Sequence, residues 1–246
     1  MRMEEHINKI STGSYDLNKW LCGGYDKDVI TMIYGPAGSG KTNFCMMAAA
    51  SQAKKEKKVI FVDTEGGFSI ERLKQLCGEE TEKALKNILL LKPTNFEEQD
   101  ESLTRLLKEI KTESNIGLVI IEGMTMLYRL ELAEAKEENK SIQAINSKLA
   151  RHMRILASIS RNRNIPIIVT NQVYYGFISS DEFQEGKEKQ ARLVGGDITG
   201  YWSKCIIELK TEEGRRKATL NKHRSLKGSD FDFEIVNEGL RKRGWL

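Results

Sequence analysis

Residues 29–42 read VITMIYGPAGSGKT and set the architecture expected for the whole chain. The first six residues form a mostly apolar run, which is typical of a buried strand. The next eight match the pattern G-x-x-x-x-G-K-[ST], and the sequence that follows favours a helix beginning near Lys41. A strand, a glycine-rich loop and a helix in this order predict a polyphosphate-binding loop. The loop residues are Gly35, Pro36, Ala37, Gly38, Ser39, Gly40, Lys41 and Thr42.

Each residue type in this loop has a chemical reason to be there. Glycines let successive backbone N–H groups converge on a polyphosphate, and the N-terminus of the helix adds partial positive charge. Lys41 can then reach the β- and γ-phosphates, and the hydroxyl of Thr42 can ligate Mg²⁺. The sequence therefore predicts a site for a nucleotide together with Mg²⁺.

Apolar runs recur on both sides of the loop and predict an α/β fold. Helical stretches separate several of the runs, and residues 141–163 carry an apolar stripe with His152 beside it, at the surface or the edge of the core. Strands that alternate with helices predict a mostly parallel sheet flanked by helices. After residue 204 the pattern becomes strand and turn, so residues 205–246 are expected to add antiparallel hairpins. The five longest runs are residues 29–34, 58–63, 87–92, 117–122 and 166–171.

Composition limits the class of protein. The chain has 246 residues and a formal net charge of +4, and 39% of its residues are hydrophobic, which suits a folded chain with one large core. There is no apolar run long enough to span a membrane and no apolar leader at the N-terminus, so a cytoplasmic protein is expected. The four cysteines are scattered, which disfavours a zinc site or a disulfide framework.

Polar residues at the ends of other predicted strands can complete a nucleotide site. Glu122 ends the run 117–122 and is the candidate second ligand of Mg²⁺. Glu65 follows the run 58–63 and Gln172 follows 166–170, and such residues can activate water or sense the γ-phosphate. In a parallel sheet these ends open on one crevice. Taken alone, Glu65 could equally be a carboxylate that caps the next helix.

These residues, with several further segments, resemble the RecA-type recombinases of archaea and eukaryotes, and most of all the archaeal RadB paralogues. The resemblance covers about residues 10–240, nearly the whole chain. It implies a RecA-type P-loop ATPase core that uses ATP and Mg²⁺, with the nucleotide at a subunit boundary. The segments that carry it, besides the loop, are STGS (11–14), LCGG (21–24), VDTEGGFSIERL (62–73), IIEGMTMLYR (120–129), TNQV (170–173) and VGGDITGYWSK (194–204).

The resemblance also implies roles for individual residues. Glu65 matches the glutamate that activates the attacking water, and Gln172 matches the residue that couples the γ-phosphate to a DNA-facing loop. Arg72 resembles the side chain that stacks on adenine. Lys222 and Arg224 lie where relatives place groups that reach the nucleotide of a neighbouring subunit, so a homo-oligomer is possible.

The chain departs from strand-exchange relatives in three ways. The matched core begins near residue 10, so we expect a single domain over residues 1–246 without an N-terminal helix-hairpin-helix domain. Its parts would be a strap over about 1–27, the ATPase core, and a hairpin extension over about 205–246. The chain contains no Phe-x-x-Ala segment, with which such relatives polymerise. Relatives also place Asp-Ser where this chain has Glu122 and Gly123, which predicts weakened placement of the metal.

The charge distribution points to a basic C-terminal region. Residues 201–246 hold 11 basic and 7 acidic side chains. The two loops that grip DNA in relatives, residues 131–140 and 174–193, are net acidic here, although Tyr174 and Tyr175 could stack on bases. Alternatively, the basic residues are a solvated sheet edge and the tyrosines pack within their loop. The basic candidates for DNA contact are Arg215, Arg216 and Lys217.

Three functions compete on these grounds. The favoured one is an ATP-binding accessory protein, or mediator, in homologous recombination and DNA repair, with DNA binding and weak ATPase activity. The resemblance implies a RadA recombinase and a Holliday-junction resolvase as partners, and single-stranded or branched DNA as the nucleic acid. The second is a recombinase that performs strand exchange itself. The third is a RecA-fold signalling ATPase of the circadian-clock type.

Overall fold

The structure is a computed structural model, and it describes residues 8–138, 141–175 and 191–244. Twelve strands form two sheets within these residues, and most of the strands coincide with the apolar runs of the sequence. In chain order they are β1 (Lys9–Ile10), β2 (Tyr25–Asp26), β3 (Ile30–Gly35), β4 (Lys58–Asp63), β5 (Ile88–Leu91), β6 (Ile116–Glu122), β7 (Ile167–Tyr175), β8 (Ala191–Leu193), β9 (Ser203–Glu212), β10 (Arg215–Lys222), β11 (Asp230–Val236) and β12 (Gly239–Lys242).

The helices begin at residues that their sequences favour. Side-chain oxygens of Ser14, Ser69, Asn95 and Ser141 each accept the N–H three residues further on, a cap worth about 1 kcal/mol. The α-helices that the structure describes are α1 (Tyr15–Trp20), α2 (Lys41–Lys54), α3 (Ile70–Cys77), α4 (Thr81–Lys86), α5 (Phe96–Thr112), α6 (Met126–Glu137), α7 (Ile142–Arg163) and α8 (Gly196–Trp202).

The large sheet confirms the predicted fold class. Its strand order is β12-β11-β10-β9-β3-β7-β6-β4-β5, and β8 pairs with the end of β7. The strands from β9 to β5 in this order run parallel, whereas β10, β11 and β12 follow β9 as antiparallel hairpins. The mostly parallel centre and the antiparallel C-terminal edge are therefore those of a RecA-type α/β core.

Side chains of the central strands alternate between two buried layers. On β6, Leu118 and Ile120 pack with α2, α3 and α4 on one face, and Val119 and Ile121 pack with α5, α6 and α7 on the other. Burial on both faces explains why these strands read as continuous apolar runs. Residues 44–50 of α2 are all buried, so this helix is enclosed between the sheet and its neighbours.

Two segments differ from the loops expected by resemblance. Residues 131–137 belong to α6, because leucine, alanine and glutamate favour a helix there and Ala135 is buried. Tyr174 and Tyr175 form the end of β7 and pair with residues 192 and 191 of β8. The expectation of two loops over 131–140 and 174–193 is therefore wrong at these positions, and residues 139, 140 and 176–190 lie outside the described residues.

His152 lies deeper than its sequence position suggests. Its side chain is fully buried, and its Nε2 atom lies 2.6 Å from a carboxylate oxygen of Asp100. Burial lowers the pKa of His152, and the hydrogen bond with Asp100 opposes that shift. The ring also contacts the ring of Phe96, with centroids 5.2 Å apart. His152 is thus a core residue paired with an acid and not a surface side chain.

The described part of the N-terminal strap contacts the layer that contains α2 and the edge strand β12. β1 and β2 form a two-stranded antiparallel sheet, and α1 lies between them in the chain. Leu17, Leu21 and Tyr25 are buried in the same layer as α2. The hydroxyl of Ser14 donates to the carbonyl oxygen of Leu240 at 2.7 Å, which joins the strap to β12.

Candidate nucleotide site

The strand ends singled out in the sequence meet at one edge of the sheet. β3 ends at Gly35, which pairs in register with Gln172 of β7. β4 ends at Asp63, which pairs with Glu122 at the end of β6. The phosphate loop follows β3 at this same edge, and the N-terminus of α2 carries no side-chain cap. Its free N–H groups therefore face the crevice, where an anion can accept from them.

Lys41 is held over the phosphate loop. Its Nζ atom donates to the carbonyl oxygens of Gly35 and Pro36, both at 2.9 Å. The residue is 7% exposed, and burial lowers the pKa of Lys41 while the charges of Glu65 and Glu122 oppose that shift. A buried ammonium whose partners are loop carbonyls can strengthen its electrostatic contacts by binding a phosphate.

Thr42 and Glu122 meet beneath the loop, as the sequence predicted. The hydroxyl of Thr42 donates to Oε1 of Glu122, and Glu122 is 1% exposed. Burial raises the pKa of Glu122 to about 7, helped by the nearby charges of Asp63 and Glu65 and opposed by the bond from Thr42. The other oxygen, Oε2, is buried and has no hydrogen-bond partner among the described residues.

The residues present fit a Mg²⁺ ion. Mg²⁺ prefers hard oxygen ligands, and a carboxylate with an unpaired buried oxygen beside a hydroxyl is such a set. The buried hydroxyl of Ser39, in the loop itself, also lacks a hydrogen-bond partner within the described part of the chain. Buried atoms without partners also occur elsewhere among the described residues, as at Thr31 and Gln99, so the position of these two atoms at the phosphate loop is what favours a ligand site.

Asp63 organises the loop that carries Glu65. Its Oδ1 accepts the N–H groups of Glu65, Gly66 and Gly67 at 3.2, 2.8 and 3.1 Å, and its Oδ2 accepts that of Phe68 at 3.0 Å. The carboxylate is nearly fully buried, so these bonds fix the path of the backbone. The sequence predictions assigned Asp63 no role. The pattern that could have revealed it is an acid at a strand end, shortly before two glycines.

Glu65 and Gln172 are brought together by the two loops. Nε2 of Gln172 donates to Oε2 of Glu65 at 3.0 Å. Glu65 lies folded against Gly123, where an added Cβ would come within 2.6 Å of its Cγ and 2.8 Å of its Oε1. The space that a side chain would fill at residue 123 is therefore occupied by Glu65 together with the hydroxyl of Thr64, which lies even closer to the added Cβ. Glu65 is solvent-exposed, and its charge acts on both Lys41 and Glu122 across the crevice. Its role in activating water remains a prediction.

The segment 170–172 is fixed to its surroundings by polar side chains. The hydroxyl of Thr170 accepts the N–H of Gly123 at 2.8 Å. The amide of Asn171 donates to the carbonyl oxygen of Val194 at 2.7 Å, and its oxygen accepts the hydroxyl of Thr125. These contacts tie the end of β7 to the residue after β6 and to the segment that leads into α8.

Arg72 is engaged with the C-terminal hairpin. Its guanidinium donates to Asn43 at 2.9 Å and to the carbonyl oxygens of Val236 and Asn237 at 2.9 and 3.0 Å. The side chain therefore joins α3 to α2 and to the β11–β12 turn. These bonds use the edge of the guanidinium, and stacking on adenine, which uses its face, remains a prediction.

Arg224 and Lys222 have partners within their own subunit. Arg224 pairs with Asp28 at 2.7 Å and with the buried Asp26 at 3.2 Å. The carboxylate of Asp26 also pairs with Nζ of Lys9 at 3.2 Å and with Nε2 of His223 at 3.3 Å. Burial pushes the pKa of Asp26 upward, but its bonds with His223 and Lys9 and the charge of Arg224 lower it to about 2.

Lys222 donates to the carbonyl oxygen of Gly200 at 3.2 Å, and burial followed by the charge of Lys204 lowers its pKa. To reach a neighbouring subunit, Arg224 would have to leave two acids and Lys222 one carbonyl. Contact of either residue with the nucleotide of another subunit remains a prediction.

The basic candidates for DNA contact lie at the same edge as the nucleotide crevice. Glu208 of β9 pairs with Tyr34, and β9 continues to Glu212 before β10 starts at Arg215. Strand alternation puts Arg216 on the face of Ala218 and Leu220, which are buried, and Arg215 and Lys217 on the other. Lys217 lies 3.4 Å from Asp230. The three cations therefore do not form a single flat patch.

The site combines a phosphate loop after a central parallel strand, a carboxylate at a nearby strand end and a second glutamate after β4. This combination defines the class of RecA-type P-loop ATPases. Proteins of this class bind a nucleotide with Mg²⁺ at the carboxyl edge of the sheet. The site described above has that position and those residues.

The chain belongs to the Rad51 family. The family model described as Rad51 matches residues 3–243. The chain is 38% identical over 240 residues to the DNA repair and recombination protein RadB of Methanobrevibacter smithii, covering 96% of this chain and 97% of that protein. It is 41% identical over 225 residues to the protein of the same name from Methanococcus maripaludis, covering 91% and 96%.

A solved structure shows the same fold. The crystal structure of the RadB recombinase superposes with a TM-score of 0.74 at 34% identity, and the match covers 95% of this chain and 99% of that one. The resemblance inferred from the motifs is thereby confirmed. Over the residues that the structure describes, every helix is too short or too polar to cross a bilayer.

Proposed function

We propose that this chain is an ATP-binding accessory protein of DNA repair and homologous recombination, with weak Mg²⁺-dependent ATPase activity and DNA binding. The observation that carries the proposal is the crevice itself, where Lys41 and Glu122 are buried and Thr42 is half-buried against Glu122. Oε2 of Glu122 is buried there without a hydrogen-bond partner among the described residues. Relatives of similar length are named DNA repair and recombination proteins, which supports the process.

The residues of the crevice divide the work on ATP between them. The loop N–H groups and Lys41 would hold the β- and γ-phosphates, and Thr42 and Glu122 would hold Mg²⁺. A bound Mg²⁺ would supply neutralising charge at the phosphates. Glu65 would accept the proton of the attacking water, and Gln172, bonded to Glu65, would respond to the γ-phosphate.

Slow turnover follows from the position of Glu65. The carboxylate is exposed, lies against Gly123 and accepts a bond from Gln172 at Oε2, so a water molecule held by its other oxygen would be open to solvent and weakly oriented. The site also lacks a hydroxyl at position 123. Nucleotide binding does not depend on this orientation, whereas hydrolysis does.

The second candidate function is strand exchange by the chain itself, and the likeness to a solved RadB protein that is called a recombinase favours it. Membership of the Rad51 family favours both over a signalling ATPase of the circadian-clock type. A RadA recombinase and a Holliday-junction resolvase are the partners we propose, on the basis of the resemblance. An assembly of several copies is proposed on the same basis.

A strand-exchange assay separates these functions. The chain would be incubated with Mg²⁺, ATP, single-stranded DNA and homologous duplex, alone and together with a RecA-type recombinase. We expect no joint molecules from the chain alone and more joint molecules from the recombinase when the chain is present. The Lys41→Ala variant should lose the stimulation. Joint molecules formed by the chain alone would favour the second candidate.

A further inference from the structure

Glu122 has a long side chain in a confined place, and the confinement is set by a glycine in another loop. An ideal Cβ atom built on Gly67 would lie 3.1 Å from both carboxylate oxygens of Glu122 and 3.2 Å from Cγ2 of Thr42. Contacts of that length are tighter than ordinary van der Waals contacts between such atoms. The carboxylate therefore fills the space in which a side chain at residue 67 would begin.

The backbone is held in place on both sides of this contact, so only the side chains can yield. The backbone of Glu122 is fixed by its register with Asp63 and by the N–H of Thr64, which donates to its carbonyl oxygen at 3.2 Å. The N–H of Gly67 donates to the buried carboxylate of Asp63 at 3.1 Å. An added methyl group at residue 67 would therefore push the carboxylate of Glu122 or the methyl group of Thr42, and both residues belong to the candidate metal site.

We propose that Gly67 is a positioning residue for Glu122, and that its lack of a side chain is what allows a glutamate to serve as the magnesium acid here. The inference rests on the proposed function, because it assigns Glu122 to Mg²⁺. An aspartate at 122 is one methylene shorter, so its oxygens would withdraw from Gly67 and leave room for a Cβ. The two positions are therefore coupled by size.

The chain offers a well-matched pair of glycines for the test. The structure gives Gly67 no positive φ, so Gly67→Ala adds a methyl group without a backbone penalty of that kind. Gly200 lies in α8, has no positive φ, and has nothing within 4 Å of its added Cβ. Gly200→Ala is therefore the control, since it makes the same chemical change in open space.

The experiment measures the Mg²⁺ dependence of nucleotide binding. A fluorescent ATP analogue would be bound to the full chain in EDTA and then at rising Mg²⁺ concentrations. We expect Gly67→Ala to raise the half-saturating Mg²⁺ concentration about tenfold or more, as losses of supporting residues around metal ligands do. Binding in EDTA should change less than about twofold, because the phosphate contacts do not involve residue 67. Gly200→Ala should behave as the unmodified protein.

A second substitution shows whether the effect passes through Glu122. In the Glu122→Asp background, Gly67→Ala should raise the half-saturating Mg²⁺ concentration less than about threefold, because the shorter acid has left the space. If Gly67→Ala has the same effect in both backgrounds, or has none in the unmodified protein, the coupling is absent and the inference is overturned.

Failure of the proposed function would look different. If nucleotide binding by the unmodified chain does not respond to Mg²⁺, the assignment of Glu122 to the metal is wrong, and the proposed function and this inference are overturned together. If nucleotide binding by the unmodified chain and by Gly67→Ala shows the same half-saturating Mg²⁺ concentration, only the inference about Gly67 is overturned.

Discussion

The nucleotide crevice and the C-terminal hairpins both carry many charges, but they hold them differently. In the crevice, Lys41 and Glu122 are buried, and an oxygen of Glu122 has no partner among the described residues. In the hairpins, Lys217 is half-buried and Arg241 is exposed, and each already faces an acid, Asp230 or Glu234. Arg216 is the exception, since its Nε atom is buried without a hydrogen-bond partner among the described residues. Buried groups with unused bonding capacity are prepared for a ligand, whereas exposed pairs must separate before they can bind one.

The difference teaches where affinity and salt dependence should arise. Desolvated groups in the crevice would interact strongly with phosphates, and salt would screen them little. The cations on β10 would contribute mainly by neutralising DNA phosphates, and that contribution would fall as salt rises. The crevice should therefore respond to single substitutions with large changes, and the hairpins to groups of substitutions.

The largest expected effect belongs to Glu65. Glu65→Gln removes the proposed base and keeps the size of the side chain, so turnover of ATP should fall by about 10²–10⁴ while nucleotide binding is retained. Steady-state phosphate release at saturating ATP measures it. Glu71→Gln, at an exposed position six residues on, is the matched control and should leave turnover unchanged. Turnover like that of the unmodified protein in Glu65→Gln would remove Glu65 from the mechanism.

Lys41 should give the next largest effect. Lys41→Ala removes the ammonium and leaves the loop backbone in place, so ATP affinity should fall by roughly 2–4 kcal/mol, as for one partner of a close charge pair. Isothermal titration with Mg²⁺ and ATP measures the loss. Lys55→Ala, at an exposed position just after α2, is the control and should bind ATP normally. Unchanged affinity in Lys41→Ala would contradict the assignment of the phosphate site.

Charge reversal on β10 tests whether the C-terminal hairpins bind DNA. Changing the three cations of β10 to glutamate should flatten the dependence of single-stranded DNA affinity on salt by about 2 units in log K per log salt if all three touch phosphate. The same contacts are worth about 100-fold at 0.1 M salt relative to 1 M. The residues changed together are Arg215, Arg216 and Lys217. Fluorescence anisotropy at several salt concentrations gives both quantities.

The control for this reversal makes the same charge change elsewhere. Arg154, Arg161 and Arg163 are exposed on α7, and their reversal should leave the salt slope nearly unchanged. Tyr174→Ala with Tyr175→Ala tests the other DNA candidate and should cost roughly 1–3 kcal/mol per stacked base without changing the slope. If the reversal of β10 leaves affinity and slope intact while the tyrosine variants abolish binding, the comparison between crevice and hairpins is wrong.

The smallest expected effect concerns stability. The pKa of Asp26 is about 2 in the folded chain, against about 3.9 for a free aspartate, so its ion pairs contribute about 2 kcal/mol above pH 4. This contribution is lost as the pH falls towards 2. Asp26→Asn should therefore lower the free energy of unfolding by about 2 kcal/mol at pH 7 and by little near pH 2. Urea unfolding at both pH values measures it.

Asp28→Asn is the control for Asp26, because Asp28 also pairs with Arg224 but is partly exposed, and such pairs are worth less than about 1 kcal/mol. Equal losses from both variants at pH 7 would show that burial of Asp26 does not strengthen its contacts. Equal losses would also mean that Asp26 holds Arg224 no more tightly than Asp28 does. Arg224 could then leave both acids more easily to contact another molecule.

The sequence predicted the parts of the molecule that depend on local pattern. The phosphate loop is contiguous, and the central strands are apolar on both faces, so the meeting of Glu122, Thr42 and Glu65 followed from strand order. The role of Asp63 did not follow, because it depends on how one carboxylate receives four N–H groups. The fit of Gly67 to Glu122 did not follow either, because differences of a few tenths of an ångström in the contact distance decide it.

Long-range pairs account for the other differences. Arg224 meets Asp28, 196 residues earlier, and His152 meets Asp100, 52 residues earlier. No periodicity in the chain indicates such pairs. The loop expected over 131–140 was carried over from relatives, and it is mostly helical here because the residues of α6 favour a helix.

One crossed measurement tests most directly whether the crevice and the hairpins do separate work. The unmodified protein, Lys41→Ala and the β10 reversal would each be titrated with a fluorescent ATP analogue and Mg²⁺. In a separate titration without ATP, each would receive single-stranded DNA at 0.1 M salt. Lys41→Ala should lose nucleotide affinity and keep DNA affinity, and the β10 reversal should do the opposite. Loss of DNA affinity in Lys41→Ala together with normal DNA affinity in the β10 reversal would contradict the division.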